Sequence, residues 1–163
     1  MGGAVRILSI LDEYTRECLL LKPARSFPAR RVIDALEEVM ICTGRKPQYL
    51  RSDNGPEFVA KSLQRWLEQA HVGPRYIEPG SPWENAHVES FHAQVRLELL
   101  DRELFFNMRE VETATSNYAY EYNFQRPHGS LGKLPPALAA QRELTLRPTA
   151  CAPVHAGNPV MTN

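Results

Sequence analysis

A short apolar run, Tyr49-Leu50, ends at Arg51-Ser52-Asp53-Asn54-Gly55, and the stretches on either side of it carry helical periodicity. An acid followed by Asn-Gly is a turn signal, so Asp53 stands where a strand of about Gln48 to Ser52 gives way to a loop. Upstream, Val32, Ile33, Leu36, Val39 and Met40 recur at helix spacing; downstream, Leu63, Trp66, Leu67 and Ala70 do the same. Each set makes one apolar stripe. A third stripe, Val88, Phe91, Val95 and Leu99, carries Glu89 about 100° away from Val88, off the apolar face. Two carboxylates are thereby held on stiff elements, Asp53 at a strand end and Glu89 on a helix.

The remaining elements follow from the same rules. Val5 to Leu11 and Cys18 to Leu21 are β-favouring runs joined by a polar stretch, which predicts a hairpin. Pro28 suits the first turn of the helix that ends before Gly44, and Gly73-Pro74 stops the helix carrying Leu63. Arg75 to Ile77 reads as a further short strand, and 79–82 as a loop. The Glu89 helix is expected from Trp83–Asn85 to about Arg102, and another from about Met108 to Phe124, with Val111, Ala114 and Tyr118 on one side. Arg126-Pro127-His128-Gly129 breaks it, and a short helix follows Pro135-Pro136 to about Gln141. From Leu144 onward Pro, Thr, Ala and Gly dominate without periodicity, which predicts a disordered tail. The division is a core over 1–125, an extension over 126–143 and a tail over 144–163. The order hairpin, helix, strand, helix, strand, helix is that of an α/β domain.

A chain of 163 residues suffices for one domain with a sizeable core. Nineteen basic and nineteen acidic side chains cancel, so net charge gives no evidence for a nucleic-acid partner. Cys18, Cys42 and Cys151 are odd in number and lack C-x-x-C spacing, which argues against a disulfide framework or a zinc knuckle. No apolar run is long enough to cross a bilayer, and the N-terminus lacks a signal-peptide core. A cytoplasmic protein with no membrane partner is expected.

Thirty-five residues lie between Asp53 and Glu89, and the two acids sit within Ser52-Asp53-Asn54-Gly55 and Asn85-Ala86-His87-Val88-Glu89-Ser90-Phe91. With Leu11-Asp12-Glu13-Tyr14-Thr15-Arg16-Glu17 and Tyr122-Asn123-Phe124-Gln125-Arg126-Pro127-His128-Gly129-Ser130-Leu131-Gly132, these stretches resemble the catalytic core of DDE transposases and retroviral-type integrases. The nearest likeness is to the second reading frame of bacterial insertion sequences, and it runs from about Ile7 to Ala140. The resemblance implies an RNase H-like mixed sheet flanked by helices. It also implies DNA as partner (transposon ends and target), a homo-oligomer or association with full-length transposase, and Mg²⁺ or Mn²⁺ as cofactor. Asp53 and Glu89 would be the catalytic and metal-binding acids, because hard cations that activate one oxygen and stabilise another prefer carboxylate ligands.

Ile7 to Leu11 corresponds to the family's second strand. The first, central strand and its shared Asp would therefore lie before Met1. Two expectations follow: the chain by itself is inactive, as an incomplete enzyme or a remnant that only binds DNA or transposase, and the sheet has two facing unpaired edges, Ile7–Leu11 and Gln48–Ser52. Such edges favour aggregation, or closure against each other or another molecule. Asp12 matches a turn position, paired with Arg16, rather than the shared acid.

Several residues have supporting roles to weigh. Asn85 and His92 lie on Glu89's side of the helix, where they can orient it or meet a phosphate, and Asn54 neighbours Asp53. Arg25, Arg30, Arg31, Lys61, Arg65 and Arg96 are candidate phosphate contacts. Trp83 is either a flap over substrate or an anchor for the helix start. The Arg126 to Gly132 signature reads as a packing and turn motif. A rival reading uses Glu68-x-x-His71 and Glu89-x-x-His92, the spacing of di-iron helical bundles; three strand-like runs argue against it.

Overall fold

The computed structural model describes residues 4–77, 86–146 and 154–162. Strand β1 (Val5–Asp12) turns into β2 (Cys18–Ala24), as the hairpin pattern predicts. Helix α1 (Ala29–Thr43) begins after Pro28, whose extended backbone leaves its carbonyl accepting from Arg31 and Val32, and ends at Gly44 with φ 64°. A left-handed residue there suits glycine, which has no Cβ to clash. Strand β3 (Tyr49–Ser52), helix α2 (Lys61–Gln69) and strand β4 (Gly73–Tyr76) follow. The strand expected from Arg75 thus starts at Gly73: an edge strand tolerates Pro74 because its missing N–H can face away from the ladder.

Helix α3 (Ala86–Val95) widens into a π-type turn over Arg96–Leu100. Its expected start at 83–85 lies outside the described residues. Helix α4 (Met108–Phe124) is capped by Asn107, whose side chain accepts from the Glu110 N–H at 3.1 Å while the Glu110 carboxylate accepts from Phe106 N–H at 2.7 Å. That reciprocal pairing satisfies backbone donors the helix start leaves open. Helix α5 (Pro136–Leu146) is longer than the sequence suggests, and β5 (Val154–Thr162) closes the described chain.

The five strands form one sheet in the order β2-β1-β5-β3-β4. Strand β1 runs antiparallel to both β2 and β5, and β5 runs parallel to β3, which is parallel to β4. This corrects two expectations. Residues 154–162 are a strand, not a disordered tail, and the gap expected between the Ile7–Leu11 and Gln48–Ser52 edges is filled by that strand. Backbone pairing does not require an apolar run: two unpaired edges offer N–H and C=O groups to any extended segment that reaches them. Pro159 is accommodated by a bulge. Ser9 pairs with Gly157 and Ile7 with Val160, so Asn158 and Pro159 together oppose Leu8, where the ladder already lapses.

The sheet is covered on both sides. Leu8, Ile10, Leu50 and Ala156 pack with Val32, Ile33, Leu36 and Val39 of α1 and with Leu63 and Leu67 of α2. Ile7, Leu11, Cys18 and Leu21 pack with Val88, Phe91, Val95 and Leu99 and with Tyr118 and Tyr122 of α4. Strand alternation explains the split: even-numbered β1 residues face one helical layer and odd-numbered ones the other.

Candidate active site

Asp53 follows β3 directly, half-buried, and its Oδ1 accepts from the Gly55 N–H at 3.0 Å. This Asx turn fixes the carboxylate at the strand end. The exposed Asn54 donates its side-chain amide to Ile77 O at 3.5 Å, tying the loop to the end of β4.

The sheet register locates Asp53 relative to α3. Arg51 is level with His155 of β5, the last pair of that parallel ladder, and Asp53 and Gly157 each lie two residues farther along their chains. Gly157 pairs across the antiparallel ladder with Ser9. Ser9 is fully buried, and its hydroxyl is 2.7 Å from His92 Nε2. His92 lies three residues beyond Glu89, one helical turn along the same side of α3. Strand alternation puts Ser9, position 157 and Asp53 on the α3 side of the sheet, since Leu8, Ala156 and Leu50 lie in the opposite layer. Asp53 therefore follows β3 on the side of the sheet that α3, with Glu89, covers. Glu89 itself is exposed, off the buried stripe of Val88, Phe91 and Val95.

Ser9 carries no sequence signal as a site residue. It is one hydroxyl within an apolar strand, and only the tertiary contact with His92 reveals it. Asp12 anchors the hairpin turn instead. Buried, it accepts from Tyr14 N–H at 2.9 Å and Thr15 N–H at 3.1 Å, and its partner is Arg45 at 3.6 Å rather than Arg16. The reason is reach, since Arg45 follows α1 and also pairs with Glu17 at 2.9 Å. Arg51, level with the end of the hairpin, pairs with Glu13 at 3.2 Å.

The candidate phosphate contacts divide. Arg25 and Arg31 are exposed at the end of β2 and the start of α1; of the residues between them, Ser26 to Ala29 line a hollow of about 380 Å³ with Arg6, Pro56 and Glu57, the last two from the loop after Asp53. Arg30 is held by Asp34 at 2.9 Å, and Arg96 lies 3.9 Å from Asp101. Lys61 and Arg65 are exposed on α2, in the same layer as α1 and Arg31. Asn85 and Trp83 lie outside the described residues. The two Glu-x-x-His pairs sit on opposite faces of the sheet, α2 on one and α3 on the other, so they cannot share a metal.

The motif that spans the end of α4 is a clamp. The Asn123 side chain donates to Cys18 O and accepts from Cys18 N–H, both at 2.8 Å, imitating a neighbouring strand at the edge of β2. Arg126 binds Glu98 through two hydrogen bonds, which draws the Glu98 carboxyl below the usual carboxylate range. His128 meets Tyr122 edge to face at 4.6 Å, and burial followed by the Arg126 charge lowers its pKa. Gly132, with φ 64°, completes the reversal. Burial also pushes the Cys18 thiol up to about 12, so it packs as a neutral side chain.

Two family models, each described as "Integrase core domain", match residues 1–82 and 70–136. The chain belongs to the integrase core domain family. Among curated relatives, an insertion element IS476 protein of Xanthomonas euvesicatoria is 30% identical over 153 residues, covering 94% of this chain and 44% of its own length. A protein of insertion element IS407 from Burkholderia multivorans is 31% identical over 152 residues, covering 93% of this chain and 53% of its own. This integrase core thus spans about half the length of the curated relatives it matches. A transposase for insertion sequence IS629 of Shigella sonnei is 27% identical over 137 residues, covering 84% of this chain and 46% of its own.

Solved structures show the same fold at low identity. The catalytic core of BIV integrase matches with a TM-score of 0.62 at 21% identity, over 86% of this chain and 90% of that one. The HTLV-2 integrase core, solved in complex with magnesium, matches with a TM-score of 0.60 at 18% identity, over 79% and 81%. The RNase H-like architecture expected from the motifs is therefore the architecture of this integrase core. No helix among the described residues is long and apolar enough to cross a membrane.

Whether the acids present suit divalent metals is decided by their number. Among the described residues no three His, Cys, Asp or Glu side chains gather in metal-binding range. A pair of ions that activates one oxygen and stabilises another needs bridging carboxylates as well as terminal ones. Asp53 and Glu89 alone fall short of that set.

Proposed function

We propose that this chain is the catalytic-core segment of an insertion-sequence transposase, acting in DNA integration, with Asp53 and Glu89 as the acids that face the metal and the DNA. The observation that carries the reading is the register row: Arg51, two residues before Asp53, level with His155, Gly157, two residues after His155, paired with Ser9, and Ser9 bonded to His92 one turn from Glu89. On this reading the reaction is transfer of a DNA strand with Mg²⁺ or Mn²⁺, in keeping with membership of the integrase core domain family. His92 is a positioning residue, held by Ser9 so that the Glu89 turn of α3 stays over the sheet. Asn54 positions Asp53 through the loop, and Asn85 flanks Glu89 in sequence. Arg25 and Arg31 are the cations chosen for phosphate, because they are exposed and flank in sequence the segment Ser26–Ala29, which shares a hollow with Pro56 and Glu57 of the loop after Asp53. Arg30, Lys61, Arg65 and Arg96 make weaker contacts or none. DNA is the partner, with a further copy or a longer transposase, and the cytoplasm is the compartment.

With two carboxylates, the chain by itself binds DNA without joining it. The test pairs binding with chemistry. Anisotropy with a labelled duplex over a salt series should give a linear log–log slope that falls by about 0.9 for each of Arg25→Ala and Arg31→Ala. A strand-joining assay with Mg²⁺ or Mn²⁺ should show no product. Joining that disappears on Asp53→Asn would show the centre to be complete, and a duplex that fails to bind at low salt would overturn the reading.

A further inference from the structure

We infer that β5 is a self-docked strand that closes the sheet while leaving the cation site one carboxylate short, because it sets a glycine, Gly157, between Asp53 and the Ser9–His92 contact. This rests on the reading of Asp53 and Glu89 as metal-facing acids.

The geometry comes from the ladders. Adjacent strands lie about 4.8 Å apart, so position 157 is about one strand spacing from Ser9, and it lies two residues beyond the last β3–β5 pair, as Asp53 does on β3's side. Ser9, the pair partner of Gly157, projects to the α3 side, where its hydroxyl meets His92. Any side chain placed at 157 would project the same way, because paired residues share a face. Glycine supplies none. At the position opposite Ser9, whose hydroxyl meets His92 one turn from Glu89, the strand brings backbone alone.

The composition of β5 explains why such a strand is there. Gly157, Asn158 and Pro159 are poor strand formers in any sheet position and worse in a central one. Pairing with β1 continues on both sides of the bulge, from Asp12 opposite Val154 to Val5 opposite Thr162, whereas the pairing to β3 is limited to Leu50–Val154 and Arg51–His155. Ala156, fully buried, is the small plug that the α1–α2 layer receives. Backbone pairing thus satisfies the two edges, and the residue opposite Ser9 brings no ligand. Sheet closure and completion of the site are separate requirements, and β5 meets only the first.

The test is a Mn²⁺ titration of the full chain followed by water-proton relaxation. The wild type should bind weakly. Gly157→Asp should tighten binding by about tenfold or more, since affinity for hard cations follows the count of charged oxygen ligands. Gly157→Asn should stay within about twofold of wild type, and adding Asp53→Asn to Gly157→Asp should cancel the gain. Hydrogen exchange of 154–162 reports whether β5 remains docked in each variant. Should Gly157→Asp undock it, paramagnetic broadening in the wild type decides: Mn²⁺ near saturation should broaden the Gly157 and Asp53 amides together, and an unbroadened Gly157 overturns the inference. Tight wild-type binding lost on Asp53→Asn would also overturn it while leaving the proposed function standing. Binding indifferent to both Asp53 and Glu89 in every variant would sink the two together.

Discussion

Strands β1 and β5 lie side by side at the middle of the sheet, and they could hardly be less alike. Strand β1 reads Val-Arg-Ile-Leu-Ser-Ile-Leu-Asp, with Ile7, Leu8, Ile10 and Leu11 wholly buried and large side chains on both faces. Strand β5 reads Val-His-Ala-Gly-Asn-Pro-Val-Met-Thr and gives the core the methyl group of Ala156. The first is packed on both faces; of the second, the described part is its two ladders and Ala156. A central position therefore does not specify a strand's sequence; it specifies only that both edges find partners, and apolar bulk decides how firmly.

The sharpest way to break this comparison uses the register pair Ile10 and Ala156, both fully buried. Ile10→Ala should cost about 2 to 5 kcal/mol in urea unfolding, because it opens a cavity against α1 and α2. A cost below about 1 kcal/mol would show that β1 is no better anchored than β5.

Next in size is the clamp on the outer side of the hairpin. Asn123→Ala leaves both Cys18 backbone groups without their side-chain partner and should destabilise by about 1 to 3 kcal/mol. Exchange of the Cys18 amide should accelerate while that of β3 stays unchanged. If exchange rises equally everywhere, the clamp belongs to the global core rather than to one edge.

Ala156→Leu tests β5 from the other direction. Overpacking costs about 1 to 3 kcal/mol in a strand that cannot yield. If pairing alone holds β5, the larger side chain should instead release it: amides 154–162 lose protection, the β1–β2 ladder keeps its own, and the global midpoint moves less than for Ile10→Ala. Uniform loss would show β5 to be as integral as β1.

The smallest effect concerns the Glu98–Arg126 pair beyond the sheet. Its partners are about a third exposed, so the pair is worth less than about 1 kcal/mol. The sign is fixed: the folded Glu98 pKa is lowered, so its stabilisation is present above the unfolded glutamate value near 4.3 and is lost as pH falls through the folded value. His128, also lowered, adds a loss in the same direction that begins below about pH 6.5. Arg126→Gln should flatten the acid limb of the stability curve; an unchanged limb would mean the pair is screened.

The sequence by itself determined the hairpin, the helices carrying Val32, Leu63, Val88 and Val111, the strand that ends at Asp53, and the helix that carries Glu89. All of these rest on local periodicity and on turn residues whose preferences act within a few positions. The matched motifs added the RNase H-like architecture, because they fix the order of elements as well as their spacing. Only the tertiary structure decided that 154–162 enter the sheet, that Ser9 holds His92, that Asp12 belongs to Arg45, and that Asn123 clamps Cys18. Each of these is a contact between backbone or polar groups far apart in the chain, and hydrogen-bonding groups of that kind are present at nearly every residue. Which of them meet is settled by what the packed layers bring within reach, and no local pattern encodes it.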